Sequence, residues 1–188
     1  MKLNSLSILT AATLMLGAAN ANAGIAFDLY AGATAGIGGH KFTMDNYSKR
    51  ESANSYGLVA GIDIPFVRLE GEYNYMTGEK VDVQILALNA YVKMPGLIIV
   101  TPYAGAGIGG VLKVDTVKSL IPANYELSGK AIYQGMLGAT FDIPTLPIKV
   151  DVEGRLMYAP KLIDFEAPVN ETAKAIHYDA RVKLRYIF

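Results

Sequence analysis

The chain ends in a segment that alternates between apolar and polar residues, AIHYDARVKLRYIF at positions 175–188. One alternate set is apolar or small: Ile176, Tyr178, Ala180, Val182, Leu184, Tyr186 and Phe188. The other set is mostly charged and consists of His177, Asp179, Arg181, Lys183 and Arg185, followed by Ile187. Helical spacing would mix the two sets, whereas a period of two places them on opposite faces of a strand. The segment therefore predicts a β-strand with one apolar and one charged face.

Two earlier segments show the same period of two. Residues 67–75 read VRLEGEYNY, and residues 149–158 read KVDVEGRLMY. Across the three segments, ten charged residues share the polar set: Arg68, Glu70, Glu72, Asp151, Glu153, Arg155, Asp179, Arg181, Lys183 and Arg185. Five are acids and five are bases, so they can pair with one another. We therefore expect them to form a structural ionic network inside a barrel, because a buried charge without a partner is strongly unfavourable.

The same pattern extends over most of the chain. It predicts eight strands, over residues 25–37, 55–64, 66–77, 81–93, 100–112, 131–142, 148–159 and 175–188. The facing of the fourth and fifth strands stays open because they alternate less clearly. Short connections containing proline alternate with long polar ones at 38–54, 113–130 and 160–174, and the connection at 77–80 is brief. This arrangement predicts an all-β, eight-stranded antiparallel up-and-down transmembrane β-barrel.

A soluble, ligand-binding barrel is the alternative, with its apolar face turned inward. The balanced charges of the polar set favour the membrane barrel, and so do two groups of aromatic residues at opposite strand ends. The group at the long-loop end is Tyr56, Tyr75, Tyr133, Tyr158 and Tyr178, and the group at the short-turn end is Phe27, Phe141, Tyr186 and Phe188. Two aromatic girdles are expected at the two interfaces of a membrane.

The first 23 residues have the features of a cleaved signal peptide. Lys2 precedes an apolar run that is too short for a transmembrane anchor, and Ala21-Asn22-Ala23 fits the small-x-small cleavage pattern. We therefore expect residues 1–23 to be removed and residues 24–188 to form one β-barrel domain in the bacterial outer membrane.

Composition and motifs argue against several kinds of site. The chain has 17 basic and 17 acidic residues, two histidines and no cysteine, so we expect no nucleic-acid partner, metal, cofactor or cysteine nucleophile. Residues 105–110 (GAGIGG) match a dinucleotide motif, but the strand continues after them, and glycines that thin a barrel wall are the better interpretation.

A candidate catalytic group lies near the long loops. His177 and Asp179 share a face, with Ser48, Ser55 and Ser128 on the loop side. Nucleophile and base are not identifiable together, so we expect no enzymatic activity.

Three segments carry a family resemblance. The terminal Arg-Tyr-Ile-Phe resembles the signal read by the bacterial barrel-assembly machinery, with Tyr186 and Phe188 as its aromatic positions. Residues 88–91 (LNAY), 101–109 (TPYAGAGIG) and 68–73 (RLEGEY) resemble strands of the small outer-membrane β-barrels of the opacity, OmpA-transmembrane and OmpX types, often labelled the porin family. The resemblance covers essentially the whole mature chain and implies a barrel type without specifying a function.

Function is expected in the long extracellular loops, because exposed loops on a rigid scaffold are where binding varies. The leading hypothesis is a structural or surface-interaction role, similar to that of an adhesin. A narrow channel for small or apolar solutes is the alternative, and a lipid-modifying enzyme at the rim is a weaker one. The expected partners are outer-membrane lipids and lipopolysaccharide, the barrel-assembly machinery, and host or envelope surface molecules contacted by the loops.

Overall fold

The computed structural model of the chain is a closed β-barrel. It describes residues 27–44, 47–78, 81–94, 99–116, 131–164 and 172–188, so the predicted signal peptide at 1–23 lies outside the described residues. The strands are β1 (Asp28–Met44), β2 (Tyr47–Asp63), β3 (Val67–Gly78), β4 (Val81–Lys93), β5 (Val100–Thr116), β6 (Ala131–Asp142), β7 (Ile148–Asp164) and β8 (Thr172–Ile187). Each strand pairs antiparallel with the next, and β8 pairs with β1. The predicted all-β, eight-stranded antiparallel up-and-down barrel is confirmed. Among the described residues, no helix is long and apolar enough to cross a membrane.

The two faces of the barrel wall differ in polarity. Outward-facing leucines are well exposed, with Leu88 at 69% and Leu137 at 70%. Inward-facing charged residues are buried, and Arg68, Lys183 and Arg185 have no exposed surface. The apolar face therefore points outward, opposite to the arrangement of the soluble, ligand-binding alternative.

Outward-facing aromatic residues lie at both ends of the wall. At the end where the long connections lie, the exposed tyrosines are Tyr56, Tyr133, Tyr158 and Tyr178, with the half-buried Tyr75 beside them. At the short-turn end, the exposed aromatics are Phe27, Phe66, Phe141, Tyr186 and Phe188. We call the first group the long-loop girdle and the second group the short-turn girdle.

Several strands are longer than the alternation predicts. β1 and β2 continue to Met44 and Tyr47, which face each other in the register, so the prediction of a long loop over 38–54 is wrong. β5 continues to Thr116, β7 continues to Asp164 and β8 begins at Thr172. Beyond the exposed apolar band of the barrel wall a strand needs no apolar outer face, so its alternation disappears while its backbone ladder continues. The predicted loops at 113–130 and 160–174 are correspondingly shorter.

Candidate functional site

The lumen of the barrel is the candidate site, and the structure places all ten predicted network residues in it. Their exposure is 6% or less. They come from three strands, with Arg68, Glu70 and Glu72 on β3, Asp151, Glu153 and Arg155 on β7, and Asp179, Arg181, Lys183 and Arg185 on β8. Alternate residues of a strand face the same side of the sheet, so each of these three strands contributes a row of charged side chains to the lumen.

The short-turn half of the lumen contains a group of ion pairs around Asp151. Arg68 Nη1 and Arg185 Nε each donate to Asp151 Oδ2 at 2.9 Å. Arg185 also reaches Asp63 Oδ2 through Nη1 at 3.1 Å, and Asp63 accepts a bond from Lys93. Sequence analysis missed Asp63 and Lys93 because they lie beside turns, although each continues the inward register of its own strand.

Aromatic rings support the same group of ion pairs. The Arg68 guanidinium lies 4.1 Å from the ring centroid of Tyr91 and 4.5 Å from that of Tyr103. The Arg185 guanidinium lies 4.8 Å from the Tyr30 centroid. Cation–π contacts of this kind are strongest when they are desolvated. Sequence analysis missed the three tyrosines, whose signal is an aromatic residue in the inward alternate set.

The middle of the lumen is bridged by pairs between strands that are not neighbours. Glu72 on β3 accepts bonds at 2.7 Å from Arg155 Nη2 on β7 and from Arg181 Nη1 on β8. Glu70 accepts a 2.7 Å bond from Lys183 Nζ on β8. These side chains therefore reach across the lumen and tie opposite walls together. Charge-assisted bonds of this kind are roughly twice as strong as neutral ones.

A third group surrounds Asp179 near the long-loop girdle. Ser55 Oγ donates to Asp179 Oδ2 at 2.9 Å, and Arg181 also donates to this carboxylate. His177 Nε2 lies 3.3 Å from the same oxygen. In a Ser–His–Asp triad the histidine stands between serine and aspartate and takes the serine proton. Here the aspartate stands between the other two, and the Ser55 hydroxyl is directed to a carboxylate. Ser128 lies outside the described residues.

The long-loop half of the lumen is lined by apolar side chains that sequence analysis did not predict. This apolar cluster consists of Met76, Val83, Ile85, Ala87, Val111, Ile132, Met157 and Ala159. Five neighbouring strands, β3 to β7, contribute to it. Each member is exposed by 8% or less. On β3 and β7 the inward face therefore changes from charged to apolar along the barrel axis.

Glycines on β5 make room for inward-facing side chains of the neighbouring strand β4. A Cβ atom at Gly105 would lie 2.3 Å from Tyr91 Cδ1, and one at Gly107 would lie 2.1 Å from Asn89 Oδ1. No larger residue fits at these positions without displacing a neighbour. At Gly105 and Gly107, the interpretation of the 105–110 glycines as a thin barrel wall is confirmed.

Comparisons with known proteins establish the fold. The structure is similar to Neisserial surface protein A, with a TM-score of 0.60 and 17% identity, over 82% of this chain and 95% of that one. It also matches the N-terminal β-barrel domain of Pseudomonas aeruginosa OprF, with a TM-score of 0.48 and 13% identity, over 82% and 97% of the two chains. No family model and no curated protein sequence matches the chain. The likeness to Neisserial surface protein A shows that the chain shares the fold of that small β-barrel.

Proposed function

We propose that this chain is an integral outer-membrane protein whose barrel is a closed scaffold for surface interactions. Its export with cleavage after Ala23 is part of the same proposal. An apolar outer surface bounded by two aromatic girdles supports the membrane location, because only a bilayer accounts for exposed leucines around a charged interior. The proposed role is structural and non-enzymatic, and the position of Asp179 between Ser55 and His177 supports the second point.

The filled lumen is the observation that carries this proposal. Eight strands enclose a space that side chains can just fill. Here the Arg181–Glu72 and Lys183–Glu70 pairs cross that space, and all four side chains have no exposed surface. Separating such pairs would leave uncompensated charges in a medium of low dielectric constant. A lumen that is filled in this way favours a structural scaffold over a pore as the function of the barrel.

The longest strands point to where the interactions occur. A tilted strand crosses a bilayer with roughly 9–11 residues, whereas β1, β2, β5 and β7 have 17 residues each and β8 has 16. Four of these five strands are neighbours in the order β7-β8-β1-β2. They therefore form one group of adjacent extended strands beyond the long-loop girdle, with an irregularity between Ala159 and Ile163 in the β7–β8 pairing.

Conductance of the purified, folded protein in planar bilayers tests the closed scaffold. We expect little or no steady current, and any openings should be small and brief, because both the ionic network and the apolar cluster obstruct the lumen. A narrow channel for small or apolar solutes is the competing function, and the apolar cluster is the observation that favours it. Large, stable currents from the unaltered protein would refute the scaffold and favour the channel.

A further inference from the structure

The two short turns between β4 and β5 and between β6 and β7 are built from uncharged residues. Residues 94–99 read MPGLII, and residues 143–147 read IPTLP. Turns that face water are usually rich in polar residues and glycine. Contiguous exposed apolar surface often marks an interaction site. Four large apolar side chains of these turns are exposed, and we call them the apolar rim: Met94 at 58%, Ile99 at 53%, Ile143 at 37% and Leu146 at 54%.

Backbone hydrogen bonds fix the apolar rim at the end of the barrel wall. Asp142 N donates to Ile99 O at 3.0 Å, which joins the β4–β5 turn to β6. Leu146 N donates to Ile143 O at 3.2 Å within the β6–β7 turn. The exposed side chains therefore belong to turns that the barrel framework holds in place.

The charged residues beside the apolar rim face the mouth of the lumen. Lys93, the residue before Met94, pairs with Asp63 of β2. Lys149 Nζ lies 3.3 Å from Asp142 Oδ1. All four charged residues continue the inward alternate sets of their strands. Their charges are therefore paired on the inner side of the wall, and the outer side of the two turns stays apolar.

The apolar rim continues the apolar outer wall of the barrel. Met94 lies two residues beyond the outward-facing Val92, and Ile143 lies two residues beyond the girdle residue Phe141. With about 3.3 Å per residue and a tilt of about 45°, two residues correspond to roughly 5 Å along the membrane normal. The headgroup layer extends roughly 5–8 Å beyond the hydrocarbon core of each leaflet. With the short-turn girdle at the edge of that core, the apolar rim lies inside the headgroup layer.

Apolar side chains also occupy the other two positions at the short-turn end. Phe66 at the β2–β3 turn is 64% exposed, and Phe188 after the end of β8 is 53% exposed. The four positions are spread around the barrel, because successive positions are separated by two strands. A lipid layer that surrounds the barrel contacts all four positions, whereas a protein partner at one side of the barrel does not. The distribution of the apolar residues therefore favours lipid as the partner.

We propose that the apolar rim is a docking surface for the phospholipids of the leaflet at the short-turn end. The proposal rests on the outer-membrane location proposed above, and it adds the depth to which the barrel is immersed. The apolar rim lies among the headgroups and glycerol groups of these lipids, where its apolar surface is removed from water. The mouth of the lumen then opens at the level of the headgroups, and the two turns do not project into the aqueous compartment.

Single tryptophan variants test this depth, because the chain contains no tryptophan of its own. Leu146→Trp and Met94→Trp report on the two turns, and Leu137→Trp, on the outward face of β6, is the control for the membrane location. Each variant is folded into phosphatidylcholine vesicles whose acyl chains carry bromine atoms either near the glycerol or near the chain ends. These two depths are separated by roughly 10 Å within a hydrocarbon leaflet about 15 Å thick, so we expect the shallow bromines to quench both rim tryptophans about twofold and the deep ones to quench them little. Leu137→Trp should show the reverse order.

The control separates failure of the docking surface from failure of the membrane location. Rim tryptophans that emit like free tryptophan in water and escape both sets of bromines, while Leu137→Trp is quenched, would overturn the docking surface alone. Quenching at only one of the two turns would also overturn it and would favour a contact on one side of the barrel. If Leu137→Trp is not quenched either, the outer-membrane location and the docking surface both fail.

A cysteine variant removes the preference of tryptophan for membrane interfaces from the test. Leu146→Cys supplies the only thiol of the chain. With a bulky, charged maleimide on both sides of the membrane, the thiol should react much more slowly in vesicles than in the same variant unfolded in urea, and equal rates would overturn the docking surface. If Met94→Trp does not fold, as judged by heat-modifiable mobility, Ile99→Trp in the same turn replaces it with the same expectation.

Discussion

The two halves of the lumen are closed by different physical means. In the short-turn half, charged side chains such as Arg68, Asp151 and Arg185 are fully buried and held by ion pairs. In the long-loop half, Ile85 and Ile132 belong to the apolar cluster on β3 to β7 and are exposed by 2% or less, and the Ser55–Asp179–His177 group is the polar part of this half on β2 and β8. The ionic half depends on every partner being present, whereas the apolar half excludes water without any specific pairing. The stability of the barrel should therefore be sensitive to the loss of a single charge in the short-turn half and to a change in side-chain volume in the apolar cluster.

The largest loss of stability is expected when one basic residue is removed from the ionic half. Arg181→Leu leaves Glu72 and Asp179 without one of their partners, and removing one member of a buried pair costs about 3–5 kcal/mol. We expect a loss of stability of this size in urea unfolding of the protein in lipid vesicles. Adding Glu72→Gln should recover part of the loss, and a double-mutant cycle measures the coupling.

Glu153 is the matched control for that cycle. It lies directly opposite Arg181 in the β7–β8 register, yet its described ionic contacts are to Arg155 at 3.4 Å and Lys183 at 3.8 Å. Glu153→Gln should therefore rescue Arg181→Leu less than Glu72→Gln does. Equal rescue by both variants would mean that register neighbours, and not the pairs across the lumen, stabilise the ionic half.

The polarity of the lumen also explains why alternation is visible in the sequence of some strands and not of others. On β3, β7 and β8 the lumen side is charged along most of the strand, so the two faces differ and alternation is visible. On β4 the inward residues Val83, Ile85 and Ala87 belong to the apolar cluster, and on β5 the inward positions include Gly105 and Gly107. Over these stretches both faces are mainly apolar or small, so the two alternate sets do not differ in polarity and the facing of the strands stays open in the sequence.

The ten network residues were foreseeable, but their partners were not. The sequence identifies side chains that share a strand face, and cross-strand neighbours follow from a register. The Arg155–Glu72 pair joins β7 to β3, which are not adjacent, at 2.7 Å. Such a pair depends on barrel curvature and side-chain length, which no linear pattern contains. The extended ends of β1 and β2 were not predicted for a related reason, because their sequence lacks the polarity contrast of the strand segments between the two girdles.

A smaller effect is expected at Gly107, where β5 approaches polar groups in the middle of the lumen. Its added Cβ would lie 2.1 Å from Asn89 Oδ1, and Asn89 donates to Glu72 at 2.9 Å. Gly107→Ala must therefore displace a bonded side chain, and overpacking of this kind costs about 1–3 kcal/mol.

Gly135 on β6 is the control for this variant. It faces outward, and a methyl group added there would have no atom within 4 Å, so Gly135→Ala should change unfolding free energy by less than about 0.5 kcal/mol. A similar loss in both variants would point to backbone effects of glycine in a strand, and not to crowding in the lumen.

The smallest effect is expected in the apolar half, where Ile132 is 1% exposed. Ile132→Val removes one buried methylene group, and such a change costs about 0.5–1.5 kcal/mol. The loss comes from packing, so it should be the same at low and high salt. It should also add to the loss from Arg181→Leu within about 0.5 kcal/mol, because the two side chains belong to separate groups of contacts. Urea unfolding of both single variants and the double variant measures this additivity. A coupling energy as large as that between Arg181 and Glu72 would mean that the ionic and apolar halves unfold as one cooperative unit and do not act independently.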